Sequence, residues 1–374
     1  MSFLISMTNY RLNENSSLFL DLLRAITAQV VVIGHGISFF SVFTFLQPPR
    51  FPYMQNIAVL IFFILSGFLI SYSISNHLER NHHYNFKDFF IDRFSRIYTA
   101  YLPAILLVAA LDAVHLLVAG QSYIYTDAYT LLTAMGNIAM LQDFPLLITL
   151  HKKIPSVETI TSFGSARPFW TLAIEWWIYL WVGYFVFKIV KNSTLSWQNI
   201  LMLLLLSIVP VYNLVGGRGN GLTLYWLMGT LVYWFSGLFL EFKLTAFIQW
   251  TLLFLLLLTA CLRLSITVKE YEPVLAFLLA AAILVSISIT AQTKIFQKYR
   301  LIIRFAANYS FTLYLIHYTV LDLICSTYKN TTNPILLFTM GLVLCNILAA
   351  LLGYYTEMKI TPIVKHRLKA LITK

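Results

Sequence analysis

The sequence predicts an all-α integral membrane protein of about ten transmembrane helices. Three observations predict it. Of 374 residues, 59% are hydrophobic and only 11% charged, where a soluble domain carries about 25% charged residues. Apolar stretches near twenty residues recur from end to end, each long enough to cross a hydrocarbon core of roughly 30 Å as a helix. With a mean hydropathy of +0.76, the chain keeps no long polar stretch for a soluble domain, so one membrane-embedded unit over 1–374 is expected.

The spans follow in order. The first, 18–41, is too long and too polar for a typical signal peptide and no A-x-A site follows it, so it is read as retained. The second is 56–76, and the third, 97–119, follows the basic stretch "FKDFFIDRFSR". The fourth, 169–190, opens on "RPFWTLAIEWWIYLW". The rest are read at 197–215, 222–242, 246–264, 273–291, 305–327 and 334–356, between tails 1–17 and 357–374. Cys261, Cys325 and Cys345 all lie inside apolar runs, which indicates neither a disulfide framework nor a metal site.

With both termini in the cytoplasm, 17 Lys and Arg residues fall inside and eight outside, Arg24 lying within the first span. The positive-inside rule supports that orientation. The net charge of +11 is therefore read as topology, with no nucleic-acid partner. The segment 129–150, "YTLLTAMGNIAMLQDFPLLITL", is interrupted by Asp143 and Pro145. Counting it as a span would reverse everything after it, so it is read as a re-entrant or interfacial piece of one long outer loop, 120–168. Loops of that length are often functional.

The first span carries Asp21, Arg24 and His35. Arg24 and His35 are eleven residues apart, which returns them to nearly one face about 16 Å apart along the axis. Asp21 sits three before Arg24, at a pairing distance. Central Arg or Asp costs about 2.5–3.5 kcal/mol on translocon scales, so such a stripe should face a wet or protein-lined cavity. An interfacial ion pair, with His35 bonded across helices, is the plain alternative. In the fourth span Glu175 lies about 9 Å inside the outer boundary, a depth comparable with that of His35. An aromatic belt explains the surrounding tryptophans and a buried Glu poorly. Arg93 and Arg96, on adjacent turns before the third span, suit phosphate through their planar forks, or simply set topology. In the ninth span Ser310, Tyr314 and His317 share helical spacing, where polar glue between helices is the competing role.

Taken together, R-x10-H in the first span, "FFILSGFLIS" with Ser66 and Gly67, "RFSRIYTAYLP", "FWTLAIEWWIY" and "NYSFTLYLIHY" resemble the acyltransferase 3 family of multispan membrane O-acyltransferases. The resemblance runs in order from about 18 to 355, in the stand-alone form without a C-terminal esterase-like domain. It implies transfer of an acyl group, most often acetyl, from cytoplasmic acetyl-CoA to a hydroxyl of a cell-surface or lipid-linked carbohydrate, of O-antigen or exopolysaccharide type. It also implies a bacterial inner membrane. His35 maps onto the family's catalytic histidine and Arg24 onto its required arginine, with Arg93, Arg96 and Glu175 on matching motifs.

Acetyl transfer to an alcohol needs a base and a stabilised oxyanion. His35 is expected to deprotonate the acceptor, with Glu175 orienting the ring or stabilising imidazolium; a transient acetyl-His35 is the competing route. Arg24, Arg93 and Arg96 are expected to hold the coenzyme's phosphates, and Asp21, Ser66, Tyr314 and His317 to support substrate or structure. No metal is called for. The rival reading is a transporter or flippase of a lipid-linked sugar, which repeats or broken helices in matching halves would favour; the sequence shows no such pair.

Overall fold

The computed structural model describes residues 11–120, 123–191, 196–267, 271–328 and 332–372. The first ten residues of the expected N-terminal tail lie outside these, as do Lys269, Lys329 and Lys374 of the orientation count. Every regular element among the described residues is helical.

Helix α1, Glu14–Phe40, starts at an Asn13 cap that accepts from the Ser16 amide, the usual device for satisfying a free N–H of the first turn. Asn13 also donates to the Ala291 carbonyl at 2.8 Å, tying this end of the helix to the end of another span. Helix α2 covers Met54–Arg80. Helix α3, Phe86–Ala119, begins with a reciprocal capping box between Asn85 and Asp88. At 34 residues it is roughly 50 Å long, more than the membrane core requires, and Arg93 and Arg96 lie in its first three turns, ahead of its long apolar run.

The doubtful segment folds as two short helices, α4 at Leu131–Ile138 and α5 at Pro145–Lys153. Eight or nine residues reach about 12–14 Å, too short to cross. Helix α6, Phe169–Tyr184, continues as a wider π turn to Val190. The long helices that follow are α7 Trp197–Val215, α8 Leu222–Glu241, α9 Ala246–Ile266 and α10 Pro273–Ala291. The chain ends with α11 Arg300–Tyr328, α12 Pro334–Gly353, a π turn at Tyr354–Ile360 and α13 Thr361–Ile372.

Nine helical stretches among the described residues are long and apolar enough to cross a membrane. The exception is α11, expected as a span over 305–327. It has the length, at 29 residues, but carries Ser310, Thr312, His317, Thr319 and Asp322, all buried. Thr312, Thr319 and Asp322 find partners on other segments, Ser310 and His317 bond to carbonyls of their own helix, and α11 packs between α1, α3 and α12. A helix polar in composition thus lies at the centre, while α9 shows most of its apolar residues to the outside.

Helices α2 and α8 approach each other backbone to backbone. A Cβ on Gly67 would collide with the Trp226 carbonyl, and one on Gly229 with the Ile64 carbonyl. Two glycines facing each other let the backbones approach as small-residue motifs do in membranes. That approach brings the Trp226 indole N–H within 3.0 Å of Ser66 Oγ.

Candidate active site

Five helices, α1, α2, α3, α6 and α11, enclose a cavity of about 280 Å3. Its polar groups arrive by helical repeat. Thr171, Glu175 and Tyr179 follow at four-residue intervals on α6, Ser310 and Tyr314 do so on α11, and Ser66 projects from α2. Its walls are apolar, with Val59, Leu65, Leu69 and Leu172 among them.

One end is cationic. Arg24, Arg93 and Arg96 all line it, and a different element steadies each guanidinium. Arg24 pairs with Asp21 at 3.4 Å and donates to the Ala307 carbonyl at 3.1 Å. Arg93 donates to Ser73 Oγ at 3.3 Å and lies over the Phe89 ring. Arg96 stands 3.7 Å from the Glu357 carboxylate, and its own side chain remains 41% exposed. Three unlike supports aim three forks at one volume, an arrangement suited to an oligo-anion. The exposure of Arg96 marks this as the open end.

Further in, the Tyr179 hydroxyl donates to Glu175 at 2.6 Å and meets Ser66 Oγ at 2.8 Å, where the Trp226 indole also donates. Glu175 is thus held by a chain of hydroxyls, and it takes its hydrogen bond from Tyr179 rather than from His35. Thr171 shares a hydrogen bond of 2.5 Å with the Tyr314 hydroxyl.

His35 and His317 are not among the residues lining the cavity. Tyr314 stands between. Its ring centre is 5.8 Å from that of His317, and His317 is 5.2 Å from His35, against which Tyr318 packs edge-on. Phe62 meets Tyr314 edge-on at 5.7 Å and completes the same aromatic layer. The structure therefore gathers Arg24, Arg93, Arg96, Glu175, Ser66, Ser310 and Tyr314 around one space, and sets the two imidazoles one layer behind it. Asp21 stands outside the lining and acts on Arg24.

A second polar group, which sequence reasoning passes over, joins α3, the outer loop and α11. Asp112 accepts from the Ser165 amide and hydroxyl at 2.8 and 2.6 Å, and Ser165 Oγ also meets Thr319. Asp322 lies 3.3 Å from both His115 and the Tyr125 hydroxyl. Intramembrane ionisable groups stand out in sequence by rarity, so "LDAVHLL" carries a visible signal for Asp112 and His115. Thr171 and Glu357 carry none, since their side-chain partners come from other helices, and Tyr179 carries none because one of its two partners, Ser66, does. In the loop itself, burial raises the Asp143 carboxyl pKa, which Arg218 at 3.6 Å draws back down.

Comparison with protein families matches an acyltransferase domain over residues 17–354, nearly the whole chain. The chain belongs to the acyltransferase 3 family. Neither the comparison with curated proteins nor that with solved structures found a match. As an acyltransferase 3 protein it is a membrane acyltransferase, and the cavity lies entirely within the matched region.

Proposed function

We propose that this acyltransferase moves acetyl from acetyl-CoA to a hydroxyl of a cell-surface or lipid-linked carbohydrate, in a bacterial inner membrane with its cationic mouth facing the cytoplasm. The observation that carries the donor is the convergence of Arg24, Arg93 and Arg96 on the open end of an apolar-walled cavity. Small-ligand pockets span roughly 300–1,000 Å3, and this one is at the lower edge. It suits a narrow acyl-bearing arm, leaving the phosphates at the arginines.

The arm then points towards Tyr314 and Phe62. For a thioester to meet His35 this aromatic layer must shift, breaking the Tyr314–Thr171 hydrogen bond. His35 accepts the proton of the acceptor hydroxyl as its oxygen attacks the thioester carbonyl. The C–S bond breaks and the departing thiolate takes that proton, so charge and protons balance. In the competing route His35 first carries the acetyl group, and rapid quenching with labelled donor separates the two by the presence of labelled protein. In either route Glu175, fixed by Tyr179, acts within the cavity beside the donor rather than on the His35 ring.

The test incubates purified protein in lipid discs with radiolabelled acetyl-CoA and candidate glycans. Label entering a glycan supports the enzyme. Movement of unmodified glycan across vesicles, with no label transfer, supports the transporter reading instead. His35→Ala is expected to abolish transfer at unchanged membrane abundance, and full activity in that variant would remove the proposed base.

A further inference from the structure

The third guanidinium owes its place to the end of the chain. Glu357 lies in the π turn Tyr354–Ile360, three residues beyond the part matched to the family. A π turn widens the helix and re-aims its side chains. Glu357 points inward and its side chain is 3% exposed. One carboxylate oxygen accepts from the Thr312 amide at 3.0 Å and the Thr312 hydroxyl at 2.7 Å, so α11 holds it in place. Oε2 makes no hydrogen bond among the described residues and lies 3.7 Å from Arg96.

The whole C-terminal segment is fastened to one face of α3. Asp92, Arg96 and Thr99 are spaced at i, i+4 and i+7, which aligns them on a helix. Asp92 meets Lys365 at 3.2 Å and Lys369 at 2.8 Å, Arg96 meets Glu357, and Thr99 meets Thr361 at 2.5 Å. The segment is thus registered against the helix that carries two of the three cavity arginines.

We propose that Glu357 is a positioning residue for Arg96, through which the C-terminal segment completes the phosphate-binding mouth of the cavity. This rests on the reading of that mouth as the donor site. Because Thr312 fixes the carboxylate, Glu357 does not compete for the incoming anion. It holds the guanidinium in one orientation, so less ordering remains when phosphate binds.

Coenzyme A, and pantetheine as the same arm without its nucleotide phosphates, are titrated against purified protein in lipid discs. Glu357→Gln is expected to weaken coenzyme A about severalfold, as losing an ion-pair partner of a half-exposed guanidinium does, and to leave pantetheine unchanged. Thr312→Val, which removes one of the two hydrogen bonds on the carboxylate and leaves the amide's, is expected to act in the same direction and more weakly. In an Arg96→Ala background Glu357→Gln is expected to add nothing, the signature of residues acting as one unit. Should the glutamine variant misfold, Thr312→Val alone and in the Arg96→Ala background decides the matter. Unchanged coenzyme A binding in the variants, equal weakening of pantetheine, or additive losses would each overturn the proposal. If the unaltered protein fails to bind coenzyme A, the donor reading falls, and this inference with it.

Discussion

Arg24 shows how a costly residue is made tolerable inside an apolar helix. Its guanidinium has one carboxylate, Asp21, and one carbonyl, Ala307, as fixed partners, and the residue lines the cavity. Replacing it with Lys keeps the charge and loses the planar fork that grips two phosphate oxygens. Arg24→Lys is therefore expected to raise the donor KM roughly tenfold with kcat less affected, since a charge-assisted bond is worth about 1.5–3 kcal/mol. An unaltered donor titration would make the residue a structural ion-pair partner only. Arg24, Arg93, Arg96 and Glu175 were legible in the sequence because charge in an apolar run is conspicuous. What held each of them was not. Tyr179 reads as one more aromatic among tryptophans, and Ser66 as one small residue beside Gly67. Only the packing of α2 on α6 and α8 turns them into the hydroxyl chain behind Glu175. Helical rise predicts equal depth for His35 and Glu175, but depth does not fix the direction in which two helices face.

Element by element, the spans follow from apolar length, and the exceptions have physical causes. α11 is too polar to look like a lipid-crossing helix, because its polar side chains bond to α6, α12, the π turn Tyr354–Ile360 and the outer loop. The two short helices α4 and α5 are separated where Met140 and Asp143 adopt positive φ, at 55° and 51°, conformations no continuous helix allows. The α2–α8 crossing depends on backbone contact at Gly67 and Gly229. A methyl at Gly67 has a rigid carbonyl, not a flexible side chain, in its way. Gly67→Ala is expected to push the helices apart, at a cost of about 1–3 kcal/mol or more. Since that movement also withdraws Trp226 from Ser66, melting temperature and transfer rate should fall together. A variant with native melting behaviour and full activity would show that the crossing has slack the structure does not display.

Over the whole molecule, the two ends of the bundle are closed by different parts of the chain, and this separates two kinds of failure. At one end the C-terminal segment is fastened to α3 through Asp92 and Thr99. At the other, the loop ending at Gly164–Ser165 is clasped by Asp112, with Gly164 at φ 52° so that the carboxylate can lie where a side chain would otherwise stand. Asp112 accepts two hydrogen bonds from Ser165, so Asp112→Ala removes both acceptors and leaves the buried Ser165 amide unmatched. Leaving such a buried group unmatched costs about 1–3 kcal/mol, enough to loosen the loop without unfolding ten packed helices. Lys152 and Lys153 are exposed in that loop, so trypsin should cut the variant faster at this site. The arginine mouth is held by other contacts, so coenzyme A should titrate as in the unaltered protein, while transfer to an acceptor falls. Unchanged cleavage would show that the clasp is not what holds the loop. Weakened coenzyme A binding would show that the two ends are coupled through α3, whose single rod of 34 residues runs from one closure to the other.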